Sequence, residues 1–364
     1  MLTLGVPDLA LRALCPTNRL ILDTTADGAA LPGAYVQIPA QPLSELLADG
    51  DASIHPAFLI NGVQKDIYIG KYQGVAHNNR IYSLPGETPK NYINADKSNL
   101  YCRNKGTGHH CITAAEWAFL ALWCKKNGTL PYGNNANGKD SRETAYLAIP
   151  AAKDASGNTS LVLTGTGPIT WSHNRQLDGI WDLKGNVWEW TAGMRLVYSE
   201  LQVIPYNNAA DPDVDMSATS TAWKAINANA TSYNDLFITP NGSGTTANSV
   251  KLDYISNHFQ WDTSGVATTD TDNHNAAFAA TTYASGLSAF CKLYLQAMAL
   301  LPEDGASAAD YGNGVIYFKG GSAEMLVVRG GLFASSYAGI FTMGCAYPRA
   351  TSNDFVGCRP AYYE

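Results

Sequence analysis

The 364-residue sequence has few charged side chains, and this shortage narrows the range of functions. Asp, Glu, Lys and Arg together make up 15% of the chain, and the formal net charge is −7. Sequence-independent nucleic-acid binding needs clustered Lys and Arg to displace counterions, and the sequence has no basic stripe. We therefore expect no nucleic-acid partner.

Paired cysteine motifs are also absent. The seven cysteines are irregularly spaced and include no CxxC pair. A zinc ribbon is thereby excluded, and a chain of this size is not typical of a disulfide scaffold. We expect Cys102, Cys111, Cys124 and Cys291 to be small buried hydrophobic residues. Cys345 and Cys358 could pack together or form a disulfide bridge, and the sequence favours neither arrangement.

No apolar run approaches the length of a membrane span. The segment from Met1 to Arg19 lacks a basic region followed by an apolar core, so it is not a signal peptide of the usual kind. We expect no membrane insertion. If the protein acts outside a cell, we expect it to leave by a route other than a signal peptide, such as inside a virion released by lysis.

Aromatic residues and glycine are abundant, with 20 Tyr, 8 Trp and 33 Gly. This composition suits binding loops on a scaffold, because Tyr and Trp give large contact areas at low entropic cost. Residues 1–53 are short apolar runs broken by Gly, Pro and Asp, with a strand pattern at 35–39. They are predicted to form a small β-rich appendage or attachment segment, ahead of a main domain at 54–364.

The clearest helix signal begins at Thr113, which forms a capping box with Glu116. A single apolar stripe follows at Trp117, Leu120, Ala121 and Cys124. A second helix is predicted at 287–301. Strands are predicted at 66–72, 315–318 and 325–328, and a strand, tight turn and strand at 181–190.

These elements indicate an α+β fold that is loop-rich, with two main helices and short, mostly antiparallel strands. Residues 205–285 are rich in Asn, Asp, Thr, Ser and Gly, and we predict a long irregular insertion there.

Catalytic and metal-binding patterns are weak. Asp211, Asp213 and Asp215 alternate in a Pro-containing loop, where a structural calcium ion is possible, but the Gly and terminal Glu of an EF-hand are missing. A solvated acidic loop is the alternative that we favour. No Ser-His-Asp or phosphate-loop motif is present. His109 and His110 are neighbours that would point to opposite faces of an extended segment.

Three glycine-containing motifs have clear structural roles. Trp188 and Trp190 share one face of a strand, where large rings would anchor a core. The other motifs are 328–331 and 357–360. The residues expected to build the scaffold are Gly185 and Asn186 in a turn, Trp188 and Trp190 in the core, Gly330 and Gly331 at a close backbone passage, and Arg329 and Arg359, which would pin the terminal segment through carbonyls or carboxylates.

These motifs carry a resemblance to a known family. The segment 185–190 (GNVWEW), 328–331 (VRGG) and 357–360 (GCRP) resemble the signature elements of the formylglycine-generating-enzyme superfamily. Segments 69–72 and 113–117 also match, in the same order. The resemblance implies a C-type-lectin-like fold from about residue 54 to the end. It does not cover the first fifty residues or the 205–285 insertion.

Within that superfamily, the last forty residues resemble the variable proteins of diversity-generating retroelements, which are often phage tail adhesins. The resemblance implies a variable binding region at about 329–361, in which adenine-directed mutagenesis exchanges side chains. Ala338, Gly339, Phe341, Gly357 and Arg359 would be fixed by the fold. The positions implied to be variable and to contact the ligand are Leu332, Ala334, Ser335, Tyr337, Thr342, Gly344, Ala346, Tyr347, Ala350, Thr351, Asp354 and Phe355.

The resemblance also implies partners and a location. The expected partner is a host cell-surface protein or glycan, and a homotrimer on a phage tail is possible. The protein would then lie in the virion, or be made in the bacterial cytoplasm without a signal peptide. No catalytic residue and no cofactor other than structural calcium are expected.

An enzyme of the formylglycine-generating or non-haem iron class is the alternative function. The copper enzymes of this family use a closely spaced cysteine pair, and the iron enzymes use a histidine cluster. In the C-terminal region this sequence has only Cys345 and Cys358, and Cys358 lies where an aromatic residue is common. A bacterial surface lectin is a third alternative, disfavoured because no signal peptide is found.

Overall fold

The fold was obtained as a computed structural model of the chain. The structure describes residues 5–25, 31–264, 270 and 272–364. Residues 1–4 and 26–30 of the predicted N-terminal appendage, and residues 265–269 and 271 of the predicted 205–285 insertion, therefore lie outside the described residues. The described part combines helices with sheets, in agreement with the predicted α+β class.

Helices account for a minor share of the fold. Both predicted helices are present, and the capping box of Thr113 and Glu116 is confirmed because each side chain accepts the other's backbone N–H. Three further helices were not predicted. The helices of the described residues are α1 (Val6–Leu14), α2 (Ala95–Arg103), α3 (Ala114–Lys126), α4 (Tyr233–Leu236) and α5 (Ala289–Ala297).

The environment of α3 differs from the prediction of a single apolar stripe. Every residue from Ala114 to Leu122 is buried, including Glu116. The helix packs against both α5 and the Trp188–Val197 strand, so it lies in the centre of the core. A helix enclosed on all sides is apolar all round. Its sequence therefore shows no polar face.

Strands make up most of the regular structure. They are β1 (Asn18–Ile21), β2 (Gly33–Ile38), β3 (Leu59–Ile60), β4 (Val63–Gln64), β5 (Ile67–Gly70), β6 (Gly74–His77), β7 (Arg80–Ser83), β8 (His109–Cys111), β9 (Pro150–Lys153), β10 (Thr159–Val162), β11 (Trp188–Val197), β12 (Glu200–Val203), β13 (Lys224–Ile226), β14 (Phe237–Ile238), β15 (Lys251–Ile255), β16 (His258–Asp262), β17 (Asn273–Ala277), β18 (Thr282–Tyr283), β19 (Val315–Lys319), β20 (Met325–Gly330), β21 (Gly339–Tyr347), β22 (Val356–Cys358) and β23 (Pro360–Tyr363).

A five-stranded sheet joins the two ends of the chain. Its order is β1-β2-β5-β23-β8, so the C-terminal strand lies between two strands from the first third of the sequence. Residues of the predicted N-terminal appendage supply β1 and β2. The pairing of β2 with β5 begins with Tyr35 opposite Gly70, and β23 places Ala361 opposite Ile69.

A larger sheet contains most of the strands of the C-terminal block, the segment at about 329–361. Its main path is β17-β19-β21-β20-β11-β12-β15-β16-β18, with β13, β14 and β22 attached at its sides. Strand β21 lies between β19, which is parallel to it, and β20, which is antiparallel. Strand β11 pairs with β20 and, in parallel, with β22. The Trp188–Trp190 motif is therefore hydrogen-bonded to both of the C-terminal glycine motifs.

Two expectations about local structure are wrong. Residues 181–183 are not a strand, and the predicted hairpin does not form, because β11 pairs with β20 and β22 instead. The stretch 205–285 is not irregular: its described part contains strands β13 to β18 and helix α4. The strands in this stretch are short and are separated by turns rich in Asn and Ser. The alternation of polar and apolar residues that marks a strand is therefore hard to recognise in the sequence.

The main core lies between the two sheets and around α3 and α5. Its buried members include Trp117, Leu295, Phe318 and Phe341. None of the described helices combines the length and the apolar character that crossing a membrane requires.

Candidate ligand-binding surface

The C-terminal block forms a strand between two loops. Strand β20 ends in the Arg329-Gly330 pair, the chain then makes a loop over 331–338, and β21 follows. A second loop over 348–355 leads into β22. Both loops lie at the surface, and both return to strands of the large sheet. The block is thus held at each end by hydrogen-bonded strands.

Ten of the twelve predicted ligand-binding residues reach the surface. Tyr337 is the largest exposed side chain among them, with 52% of its surface accessible. The exposed members are Ala334, Tyr337, Ala350 and Asp354, and the partly exposed members are Leu332, Ser335, Ala346, Tyr347, Thr351 and Phe355. All but Ala346 and Tyr347 lie in the two loops.

Thr342 and Gly344 were also predicted to contact the ligand, but the structure buries both. The Thr342 hydroxyl donates a hydrogen bond to the Tyr337 carbonyl at 2.5 Å. A Cβ atom on Gly344 would lie 2.6 Å from the Tyr347 ring and 2.8 Å from Val328. Strand β21 has neighbours on both edges and is covered on both faces, so alternation along it exposes neither residue.

A buried aromatic cluster supports the partly exposed side chains. Trp188 and Trp190 are each 2% exposed, and Leu332, Tyr347 and Phe355 pack against them. The ring of Tyr347 lies 6.1 Å from that of Trp188 and 6.4 Å from that of Trp190. Contacts of this kind immobilise a side chain before any ligand arrives, which lowers the entropic cost of binding.

Tyr317 belongs to the same surface, although it was not predicted. Its ring lies 5.9 Å from that of Trp188. Burial raises the pKa of Tyr317, so the phenol stays neutral at physiological pH. In β19 the inward residues Ile316 and Phe318 alternate with Tyr317. That alternation was the available signal for an outward-facing tyrosine.

The second loop is fastened by residues from a distant part of the sequence. The Tyr92 backbone N–H donates to the Asn353 carbonyl at 2.8 Å, and the Asn91 side chain donates to the Asp354 carbonyl at 2.8 Å. Tyr92 itself is 61% exposed beside this loop. Nothing in the sequence links Tyr92 to residue 353, so reasoning from local pattern could not find it.

Asn186 holds the scaffold behind the surface. Its side-chain oxygen accepts from the Val162 backbone N–H at 2.9 Å and from Asn134 at 3.1 Å, while its nitrogen donates to Gln73 at 2.9 Å. The φ angle of Gly185 is 72°, and a Cβ atom there would lie 1.9 Å from the Asn134 carbonyl oxygen. This motif therefore joins three separate segments at one buried turn.

Arg359 is enclosed by acceptors. It forms a buried ion pair with Glu189 through two contacts of 2.8 Å. It also donates to the carbonyls of Gly70 and Trp181, each at 2.9 Å. The glutamate follows Trp188 directly, so the charge pair ties the C-terminal strand to the tryptophan strand.

Arg329 has a different environment. It is fully buried, and the one hydrogen bond of its side chain in the described structure is a long contact of 3.4 Å with the Ala299 carbonyl. Burial lowers its pKa to about 10. The two glycines that follow have φ angles of 90° and 88°, and a Cβ atom on Gly331 would overlap Ala338 at 2.5 Å. These glycines close the base of the first loop.

The cysteines are all free thiols and all buried. Cys345 lies in the main core, whereas Cys358 packs with Cys102 and Cys111 in a separate cluster. The two C-terminal cysteines therefore neither pack together nor bridge. The burial expected for Cys102, Cys111, Cys124 and Cys291 is confirmed.

Metal ligands are not assembled in the part of the chain that the structure describes, where no group of three or more His, Cys, Asp or Glu residues is arranged to hold an ion. The Asp211 and Asp215 carboxylates accept backbone N–H groups two residues further along their own loop. His109 and His110 are both buried, and His110 contacts Glu116 at 2.8 Å.

Comparison with family models and with curated proteins gives no relative from which a function could be transferred. No family model matches the chain, and no curated protein matches it. The functional argument therefore depends on the geometry of this surface and on the motifs that carry the resemblance.

Proposed function

We propose that this protein is a ligand-binding protein, a phage or prophage tail adhesin, whose C-terminal surface contacts a host cell-surface protein or glycan. In this proposal the domain has a C-type-lectin-like fold, and a retroelement diversifies the C-terminal region. The role is binding rather than catalysis, and the protein would act in the virion, where a homotrimer would suit a tail tip.

The proposal rests on one observation: within the C-terminal block, the residues expected to be fixed are buried, whereas most of those expected to be exchangeable are at least partly exposed. The residues that the resemblance marks as fixed, Ala338, Gly339, Phe341, Gly357 and Arg359, are all buried. Ten of the twelve residues that it marks as exchangeable are at least partly exposed. A scaffold can change its specificity without losing its fold only if exchanged positions face outward, because core substitutions cost stability.

The composition of the surface also supports binding. Aromatic residues Tyr337, Tyr347 and Phe355 stand among small side chains such as Ala334, Ser335 and Ala350. Interfaces draw most of their energy from a few large anchors, and small surrounding residues help to exclude water. Several copies on one particle would strengthen contacts that are individually weak.

Cell binding by surface variants tests the proposal. The labelled protein is incubated with a panel of intact bacterial strains, and bound protein is quantified by flow cytometry. For any strain that binds, we expect Tyr337→Ala and Phe355→Ala each to reduce binding at least tenfold, as is typical of anchor residues.

Leu177→Ala is the matched control, because Leu177 is 68% exposed and lies in the 172–181 loop next to Lys71. If binding persists in both surface variants, or falls equally in the control, the C-terminal surface is not the ligand-binding site.

A further inference from the structure

A second concave site lies outside the surface described above. It is a cavity of about 740 Å³ on the face of the large sheet, in the range of roughly 300–1,000 Å³ that small-molecule sites occupy. Strands β11, β12 and β13 form its floor. Its walls are the segments 218–223 and 239–242 together with Ala323 and Glu324.

The floor of the cavity is a fixed polar network. Arg195 is only 6% exposed, and its guanidinium donates to Gln202 at 2.9 Å and to Glu324 at 2.8 Å. Gln202 in turn donates to the buried Glu200 at 2.8 Å. The Trp223 ring covers the Arg195 guanidinium at 4.3 Å from the ring centroid. These contacts hold the arginine in one orientation without a ligand.

Unused hydrogen-bonding groups remain in this cavity. Among the described residues, no partner is found for the Nη2 atom of Arg195 or for the hydroxyls of Thr219, Thr221 and Thr239, which all line the cavity. Hydroxyl groups both donate and accept, so a row of them suits a ligand that is itself rich in hydroxyls.

The charge around the cavity favours an anionic group. Two cationic side chains, Arg195 and Lys224, line the cavity against one carboxylate, Glu324, among the residues that line it. Arg349 lies outside this lining and pairs with both Glu324 and Asp96. Within a chain of net charge −7, this is a local positive excess. Guanidinium groups bind carboxylates through charge-assisted hydrogen bonds, which are the stronger kind.

We propose that this cavity binds an acidic saccharide, with the sugar carboxylate at Arg195 and Lys224 and the sugar hydroxyls at the threonine-lined wall. Trp223, Pro240 and Val197 supply apolar surface for the C–H face of the ring. An acidic peptide carries the carboxylate but not the hydroxyls, so it uses only half of these groups. The site does not depend on the proposed function of the C-terminal loops.

Isothermal titration calorimetry of the full chain with matched sugars tests this assignment. Glucuronate and glucose differ only in the carboxylate at C6, and a dipeptide of aspartate represents the peptide class. We expect glucuronate to bind at least tenfold more tightly than glucose and more tightly than the dipeptide. Equal affinity for the two sugars, preference for the dipeptide, or no binding of glucuronate at millimolar concentration would overturn the proposal.

Variants locate the site. Arg195→Gln and Lys224→Gln should each weaken glucuronate binding about tenfold, because each removes a charged hydrogen bond. Lys126→Gln, at the exposed end of α3, is the control and should leave affinity unchanged. Lys224 is only partly buried, so its variant keeps the test informative if Arg195→Gln fails to fold. Unchanged affinity in Lys224→Gln would contradict the assignment.

Discussion

Arg329 and Arg359 occupy similar places in two glycine-containing motifs, yet their surroundings are different. Arg359 is neutralised by Glu189 and surrounded by carbonyl groups. Arg329 has no carboxylate within contact among the described residues. The sequence predicts that both would pin the terminal segment, but it does not indicate which one has a counter-charge, because Glu189 lies 170 residues before its partner.

Glu189→Gln provides the first prediction at this scale. The substitution leaves the buried Arg359 charge without a counter-ion, so we expect it to lower the free energy of unfolding by about 3–5 kcal/mol. Chemical denaturation measures the change. Asp304→Asn is the control, because it breaks the ion pair Lys292–Asp304, in which the aspartate side chain is 67% exposed. Loss of this exposed ion pair should cost less than about 1 kcal/mol. Similar losses in the two variants would contradict a dominant role for the buried pair.

A second residue-scale prediction concerns pH. Burial raises the pKa of Asp182 to about 6, against the lowering effects of the Gly165 backbone N–H and of Arg359. The folded state therefore holds this proton more tightly than the unfolded state does. Stability from this group is fully present below about pH 4 and is lost as the pH rises to about 6, amounting to roughly 3 kcal/mol at most.

The test compares unfolding free energies of the wild type and Asp182→Asn from pH 4 to pH 7. His55 and His173, whose pKa values burial lowers to about 4, act in the opposite direction in both proteins and cancel in the difference. We expect the wild type to lose stability relative to the variant as the pH rises. A difference that stays constant across this range would show that Asp182 is already ionised in the folded protein at pH 4.

At the scale of elements, strong local signals gave correct predictions. The helix at α3 was found because its capping box depends on residues three positions apart. The strands near 35, 67, 315 and 325 were found from alternation and apolar runs. Helix α2 was missed because its exposed polar residues hide the three buried ones, Ala95, Ser98 and Cys102.

Long-range pairing limited the rest of the element predictions. The chain at 181–190 resembles a hairpin, but β11 pairs instead with β20, about 140 residues later, and with β22. The same limit explains Thr342 and Gly344. On a strand with one exposed face, Thr342 and Gly344 would both point outward, which is what the prediction assumed. Strand β21 instead lies between two partner strands, β19 and β20, and is covered on both faces.

Gly344→Ala tests the inward placement of β21. The added methyl group would collide with the Tyr347 ring and with Val328, so we expect a loss of about 1–3 kcal/mol in the free energy of unfolding. Ala334→Ser changes an exposed loop residue by one atom and should stay within about 0.5 kcal/mol of the wild type. If Gly344→Ala were as harmless as the control, the residue would belong on the ligand-binding surface after all.

At the scale of the whole molecule, the C-terminal block is embedded rather than appended. Strand β23 lies between β5 and β8, and β21 lies between β19 and β20. The first loop therefore runs between β20 and β21, which each have partners on both sides, and the second runs from β21 to β22, which pairs with β11. Such a frame can hold loops of changing sequence, because its own hydrogen bonds do not involve the exchanged side chains.

Contacts between distant segments decide which residues of the C-terminal block are exposed. The sequence indicates these residues through one motif resemblance, and their exposure depends on contacts that the sequence does not display, such as those of Tyr92 and Tyr317. The block boundaries near 329 and 361 fall within the buried strands β20 and β23. A physical frame of this kind explains why exchange would be confined between them.

Sequencing the encoding locus across many isolates or passages tests the central claim most directly. The account predicts substitutions concentrated between Leu332 and Phe355, at the outward positions Ala334, Tyr337, Ala350 and Asp354, at codons that match adenines in a nearby template repeat. Thr342 and Gly344 should stay constant with the core. If the loops vary no more than the buried Gly185–Trp190 segment, the diversified-adhesin account is wrong.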